Sequence, residues 1–169
     1  MKILGIDLAG KTTNPTGICI VKDDKIEFRT VSSDKQILGI SAELMPNIIA
    51  IDAPIMQGEP RVRKADRILK KFGAFPPSLP SMKLLTLRGS KLAVQLKTRY
   101  KVIEVFPTAT AKILGIYSRN YRESAAKLDI KVKNKHELDA YFCCLTAKMF
   151  LEEKTVAVGD ETGEIIVPK

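Results

Sequence analysis

The chain has no apolar run approaching the ~18 residues that a membrane-spanning helix requires. Its apolar N-terminus is interrupted by Asp7 and carries no small-residue cleavage site. Neither a transmembrane segment nor a secretory leader is therefore expected, and no membrane partner. Cysteine is scarce, and Cys19, Cys143 and Cys144 show no paired spacing. A disulfide framework is excluded, and the adjacent thiols read as small core residues of an apolar helix. Together these absences point to a soluble protein in a reducing, cytoplasmic setting. There is no internal repeat and no low-complexity tract, which removes solenoids and biased tails from consideration. Histidine occurs once, as His136.

What is present suits one ordinary domain, residues 1–169: 169 residues at 45% hydrophobic content can bury a real core but are too few for two. Lys and Arg number 28 against 19 Asp and Glu, a formal net charge of +9, which suits an anionic partner such as DNA, RNA or a nucleotide.

Taken in order, Met1 to Ala9 is continuously apolar around Asp7, the pattern of a central strand buried on both faces. Gly17 to Lys22 and the alternating Lys25 to Val31 read as the next two strands, joined by a turn at Asp23-Asp24. Ser32, Ser33 or Asp34 can cap a helix with Ile37, Leu38, Ser41 and Leu44 on one stripe, stopped at Pro46-Asn47. Ile48 to Asp52 follows as a buried strand, and a helix leading into such a strand implies a crossover to a parallel neighbour. Val62, Ala65, Leu69 and Phe72 keep helical spacing within the basic stretch Arg61 to Phe72. Gly73 to Ser81 breaks all periodicity and reads as an ordered loop anchored by Phe75 and Leu79. Met82 to Thr98 is helical, divided at Gly89-Ser90 with Ser90 capping the second piece. A strand from Lys101 to Phe106, short helices at Thr108 to Leu114 and Arg119 to Leu128, a basic connector at Lys131 to Lys135, and a long helix from Lys135 to Glu153 come next. Val156 to Val158 and Glu164 to Val167 make a closing hairpin.

Gly5 to Thr12 satisfies the phosphate-loop expression GxxxxGK[ST]. That loop needs a flexible span between its glycines and a helix beginning at the Lys-Thr, so that backbone N–H groups cradle phosphate. Here the span is strand-like, and Lys11-Thr12 leads through Asn14-Pro15 into another strand, which argues against it.

Four acids set in apolar segments make a better constellation: Asp7, Asp52, Glu104 and Asp139. Asp7 and Asp52 lie on strands that the crossover makes parallel, Glu104 on a third, and Asp139 on a helix able to cross the same sheet. Carboxylate oxygens are the ligands that Mg²⁺ or Mn²⁺ requires, and two such ions roughly 4 Å apart can activate water and stabilise the leaving oxygen of a phosphodiester. His136, three residues before Asp139 on one helix face, could orient or ligate a metal or deliver a proton, or be a surface residue near a helix start. Lys11, beside the first acid, could hold a scissile phosphate. Arg61, Arg63, Lys64, Arg67, Lys70 and Lys71 form a basic helix that is either a solvated face or a track for a nucleic-acid backbone.

The order Gly5-Ile6-Asp7-Leu8-Ala9, Asn14-Pro15-Thr16-Gly17, Ile51-Asp52-Ala53-Pro54, Arg61 with Asp66-Arg67, Glu104-Val105-Phe106-Pro107-Thr108, His136 to Ala140 and Gly163 to Pro168 resembles an uncharacterised family of predicted nucleases. That resemblance implies an α/β ribonuclease H-like fold: a mixed five-stranded sheet with strands 1 to 3 as an antiparallel meander, strands 4 and 5 parallel to strand 1, and helices on both faces. Within the superfamily the chain is most similar to RuvC-type junction resolvases, with Asp7, Asp52, His136 and Asp139 at the matching positions. Glu104 departs from that pattern. The implied activity is Mg²⁺- or Mn²⁺-dependent phosphodiester hydrolysis in DNA or RNA. In it Asp7 would bridge two metals, Asp52 and Asp139 would complete their coordination, and Glu104 or His136 would act behind the ligands or in proton transfer. A homodimer is compatible with the sequence. Two other classes stay open, an ATPase-like nucleotide-binding phosphotransferase and a non-catalytic nucleic-acid-binding protein.

Overall fold

The computed structural model describes residues 1–23 and 25–169. In chain order the elements are β1 (Lys2–Asp7), β2 (Thr16–Lys22), β3 (Lys25–Val31), α1 (Asp34–Leu44), β4 (Ile48–Asp52), α2 (Lys64–Leu69) and α3 (Pro80–Lys97). These are followed by β5 (Lys101–Glu104), α4 (Pro107–Ile113), α5 (Tyr121–Lys127), α6 (Lys135–Leu151), β6 (Thr155–Asp160) and β7 (Gly163–Pro168).

Five strands form one sheet in the order β3-β2-β1-β4-β5. β1, β2 and β3 are the expected antiparallel meander, while β4 is parallel to β1 and β5 to β4. β1 is central, as its unbroken apolar run requires, and Ile3, Leu4 and Ile6 are fully buried. Alternation divides the sheet's side chains between two cores. Leu4, Ile6, Ile18, Ile49 and Ile51 pack with Ile37, Ile40 and Leu44 of α1 and Leu92, Ala93 and Leu96 of α3. Ile3, Cys19, Ile48, Ala50 and Ile103 pack on the other face with Ala140, Cys143, Cys144 and Ala147 of α6. Each fully buried aliphatic side chain contributes about 1.5–3 kcal/mol relative to exposure. β6 and β7 form the closing hairpin, tied to the main sheet by a bridge between Val105 and Ile166. Among the described residues no helix is long and apolar enough to cross a membrane.

Local chemistry explains most boundaries. Ser33 caps α1 by accepting from the Gln36 N–H, and the Gln36 side chain answers it in a capping box. Asn134 caps α6 by accepting from the Glu137 N–H. All three cysteines are buried and reduced.

Several details differ from expectation. The Asp23-Asp24 turn falls partly outside the described residues, because Asp24 is not among them. α2 begins only at Lys64, so Arg61 to Arg63 lie before the helix with Arg63 extended, and a 3₁₀ turn covers Lys70–Phe72. α3 is one continuous helix and Ser90 caps nothing. Gly89 is where that helix touches the sheet: a Cβ there would come within 2.6 Å of the Ala53 side chain. The loop before α3 is not anchored by its apolar residues, since Phe75 is 65% and Leu79 37% exposed.

Candidate functional site

Asp7 and Asp52 end β1 and β4 and are direct register partners. Adjacent strands lie about 4.8 Å apart, so the two carboxylates emerge side by side. Both continue the alternation of Ile3, Ile48 and Ala50 and therefore face α6. β1 has an antiparallel neighbour on one side and a parallel one on the other, so the pair stands at the carboxyl end of the sheet where strand direction switches. Ligand sites of open α/β sheets occur at such points.

Two glycines bring α6 over these acids. A Cβ on Gly5 would collide with the Ala140 carbonyl, and one on Gly17 with the His136 carbonyl. With no side chain at either position the helix lies directly against β1 and β2. Its first turn is fixed by Glu137, which is buried and accepts from the Lys133 N–H at 2.7 Å and the Thr30 hydroxyl at 3.4 Å. His136 and Asp139 are thereby delivered to the strand ends. His136 Nδ1 lies 2.7 Å from Asp7 Oδ2, and Lys135 Nζ lies 2.9 Å from Asp139 Oδ2.

The electrostatics follow from crowding. Burial, then the charges of Asp7, Asp139 and Glu104, raise Asp52 well above the carboxylate range, with only Lys135 opposing. Among the described residues no hydrogen bond offsets this. Burial and Asp7 raise Asp139 against the pull of Lys135. The hydrogen bond to Asp7 raises His136 above 6.5 in spite of partial burial. Burial, which alone would lower Lys135, is outweighed by Asp139, Asp7 and Asp52. The nearby Cys143 thiol is pushed well up by burial and by the three aspartates, which leaves it inert.

Among the described residues, no three His, Cys, Asp or Glu side chains converge closely enough to ligate one ion. Asp7 and Asp139 are instead held by His136 and Lys135. The donor set nonetheless suits a hard divalent cation: three oxygen donors, mutually repelling, one of them with no hydrogen-bond donor.

Glu104 is placed differently from the three aspartates. Its register partner is Ile51 rather than Asp52. Ile51 belongs to the α1/α3 core, so alternation turns Glu104 to the opposite face. Both of its oxygens are engaged: Oε1 accepts from Arg63 Nη2 at 2.7 Å, and Oε2 from Arg63 Nη1 at 2.7 Å and the Ile55 N–H at 2.8 Å. Arg63 also donates to both oxygens of Asp66. With 1% of its surface exposed, Arg63 cannot belong to a solvent-facing basic track, and its expected contact with nucleic acid is corrected to a role inside the fold. Arg61, Lys64, Arg67, Lys70 and Lys71 are exposed on and around α2. Lys11 is exposed in the loop after β1.

That loop is held by a residue the sequence reading passed over. Arg88 of α3 donates to the Ala9 carbonyl at 2.6 Å, the Ser32 carbonyl at 2.7 Å and Asp34 at 2.8 Å. Its position four residues before Leu92 on the inward stripe was the available signal. Lys135 was read as the end of the connector and the start of the long helix but not as a site residue, although its i, i+4 spacing to Asp139 is visible in the sequence.

Among solved structures the chain is similar to T. thermophilus RuvC in complex with Holliday junction substrate, with a TM-score of 0.53 and 14% identity over 97% of this chain and 98% of that one. No family model and no curated protein matches the sequence, so the motif order behind the family resemblance stands without a family model. The structural likeness and the strand order together give the ribonuclease H-like fold.

Proposed function

We propose that this chain is a Mg²⁺- or Mn²⁺-dependent nuclease that hydrolyses phosphodiester bonds in DNA or RNA. The observation that carries the reading is the in-register pair Asp7 and Asp52 beneath Asp139, with Asp52 crowded by like charge and lacking a hydrogen-bond donor. The RuvC neighbour, whose structure holds a Holliday junction, supports nucleic acid as the substrate class.

Asp7, Asp52 and Asp139 would hold the metal. When bound, the divalent cation supplies positive charge that acidifies water and stabilises the departing oxygen of the ester. The protein's own groups do the rest. Asp7 fixes His136 through Nδ1, which leaves Nε2 to carry a proton to or from a reacting oxygen. Lys135 orients the Asp139 carboxylate through its ion pair. Glu104, neutralised by Arg63, anchors the sheet edge beside Asp52 and does not ligate. Arg61, Lys64, Arg67, Lys70 and Lys71 hold backbone phosphates as a salt-sensitive track, with Lys11 nearest the end of β1.

The test is a cleavage screen of single-stranded, duplex and branched DNA and RNA with Mg²⁺ or Mn²⁺, comparing wild type with Asp7→Asn and Asp52→Asn. Cleavage by wild type alone is expected, and equal activity in all three proteins would refute the assignment. Salt-dependent binding without cleavage of any substrate would make the chain a nucleic-acid-binding protein instead. ATP binding that survives Asp52→Asn and Asp139→Asn would favour a phosphotransferase.

A further inference from the structure

The end of the sheet remote from the acids carries an arrangement that the nuclease reading leaves unused. Lys2 and Asp7 sit at opposite ends of β1, about 17 Å apart at ~3.4 Å per residue. At the Lys2 end the strand register sets three lysines abreast: Lys2 opposes Lys22 across β1 and β2, and Lys22 opposes Lys25 across β2 and β3. Residues directly opposite in antiparallel strands share a face. Leu4 and Ile20, two residues along from Lys2 and Lys22, identify that face as the one covered by α1.

Like charges set directly opposite one another repel, and a solvated hairpin end does not require them. Among the described residues, none of the ion pairs involves Lys2, Lys22 or Lys25. The lysines line a cavity of about 440 Å³ between the sheet and α1. Its apolar lining is Ile20, Ile26, Ile40 and Leu44, and its remaining polar groups are Arg29, Glu27 and Glu43. Arg29 is bound to Glu27 at 2.6 Å. Among the described residues that line the cavity, four cations stand against two carboxylates, Glu27 and Glu43.

We propose that this cavity binds a small phosphate-bearing anion with a planar or apolar body, of the nucleoside diphosphate kind. Cross-strand neighbours have Cβ atoms ~5 Å apart, so three flexible ammonium groups can converge on the several oxygens of one diphosphate. The isoleucine and leucine wall accepts the face of a base, and the volume lies within the ~300–1,000 Å³ range of small-molecule sites. Glu43 supplies an acceptor for sugar hydroxyls. A nucleic-acid strand fits less well, because Glu27 and Glu43 in the same lining would repel the successive phosphates of a polymer.

The experiment is calorimetric titration of the full chain at low salt without divalent metal, using ADP and inorganic pyrophosphate as probes. Wild type should bind ADP saturably at one site with Kd on the order of 100 µM, and pyrophosphate roughly tenfold more weakly because it cannot use the apolar wall. The triple variant Lys2→Gln, Lys22→Gln, Lys25→Gln should lose ADP affinity by at least about tenfold. It should melt no lower than wild type, since the repulsion is relieved. Asp52→Asn should bind ADP as wild type does, which separates this site from the acidic cluster whatever the outcome of the cleavage screen. Absence of saturable ADP binding, unchanged affinity in the triple variant, or loss of binding in Asp52→Asn would overturn the proposal. So would a short oligonucleotide that binds more tightly than ADP and is lost in the triple variant, because that behaviour belongs to a polymer track.

Discussion

Replacing Arg63 with methionine tests whether the buried charges at the sheet edge are a structural unit. The guanidinium makes four bonds of 2.7–3.1 Å to Glu104 and Asp66. Arg63, Glu104 and Asp66 are all buried, so solvent screening reduces little of this interaction. Without Arg63, Glu104 keeps only the Ile55 N–H and Asp66 only the Arg63 backbone N–H. Removing one partner of a buried ion pair costs about 3–5 kcal/mol, because the other charge is left uncompensated. Against a total stability of about 5–15 kcal/mol that is a large fraction. At about 2–4 °C per kcal/mol for a chain of this size, the melting temperature should fall by roughly 6–20 °C.

The pH dependence of that loss distinguishes charge from packing. Burial raises Glu104 above its ordinary value of 4.5 even though Arg63 and the Ile55 N–H pull it down. A carboxyl raised in the folded state contributes stability that is complete below the unfolded value and is lost as pH rises through the folded one. Taking Arg63 away raises Glu104 further, so the variant's deficit should widen as pH rises above 4.5. Urea unfolding followed by circular dichroism at pH 4 and pH 7 measures it. Arg63→Met combined with Glu104→Gln should recover about 0.5–3 kcal/mol of the deficit at pH 7. A loss below ~1 kcal/mol, or one equal at both pH values, would refute the uncompensated-charge argument.

Asp52→Asn should raise the stability of the metal-free protein at pH 7, because Asp52's stability contribution is complete below 3.8 and lost as pH rises through its elevated folded value; thermal melts should also show Mn²⁺ stabilising wild type but not this variant. The His136 ring, followed by NMR, should titrate above 6.5 and drop back in Asp7→Asn. The stability it gains from Asp7 is complete below pH 6.5 and disappears as pH rises through the folded value. Gly5→Ala should cost at least the ~1–3 kcal/mol of an overpacked core, since its methyl meets the α6 backbone at Ala140 rather than a yielding side chain; a melt unchanged from wild type would contradict that contact. Charge reversal at Lys64 and Lys71 should weaken nucleic-acid binding and flatten its salt dependence, whereas the same change at Arg63 should act through unfolding.

The strands and the long helix were legible in the sequence because each is governed by neighbours within a few residues: the continuous run of β1, the alternation of β3 and the apolar spacing of α6 are local patterns. The roles of Glu104 and Arg63 were not. An acid in the middle of Val102-Ile103-Glu104-Val105 looks like Asp7 in its own run, and only the register with Ile51 shows that it faces the other way. Arg63 sits within a stretch of exposed cations and carries no local mark of burial; its partner lies 41 residues away. Gly89 read as a break because glycine disfavours helix, whereas tertiary contact with Ala53 required it there. Phe75 read as an anchor because apolar residues usually find a core, but nothing packs over it.

The two acidic groups beside the sheet edge differ in how fully their carboxylates are satisfied. At Glu104 and Asp66 every oxygen accepts a hydrogen bond and one guanidinium serves both groups. Such a cluster is complete, and an added cation would meet no vacant lone-pair demand. Among the described residues, Asp7 and Asp139 are paired with a half-exposed imidazole and an exposed lysine, and Asp52 between them has no hydrogen-bond donor. Both of those counter-ions are more exposed than Arg63, which is fully buried. The repulsion at Asp52 is therefore held in place by the register of β1 with β4 and by a helix seated on Gly5 and Gly17. A rigid scaffold that presses acids together lowers its own stability, a cost that the proposed divalent cation would recover on binding.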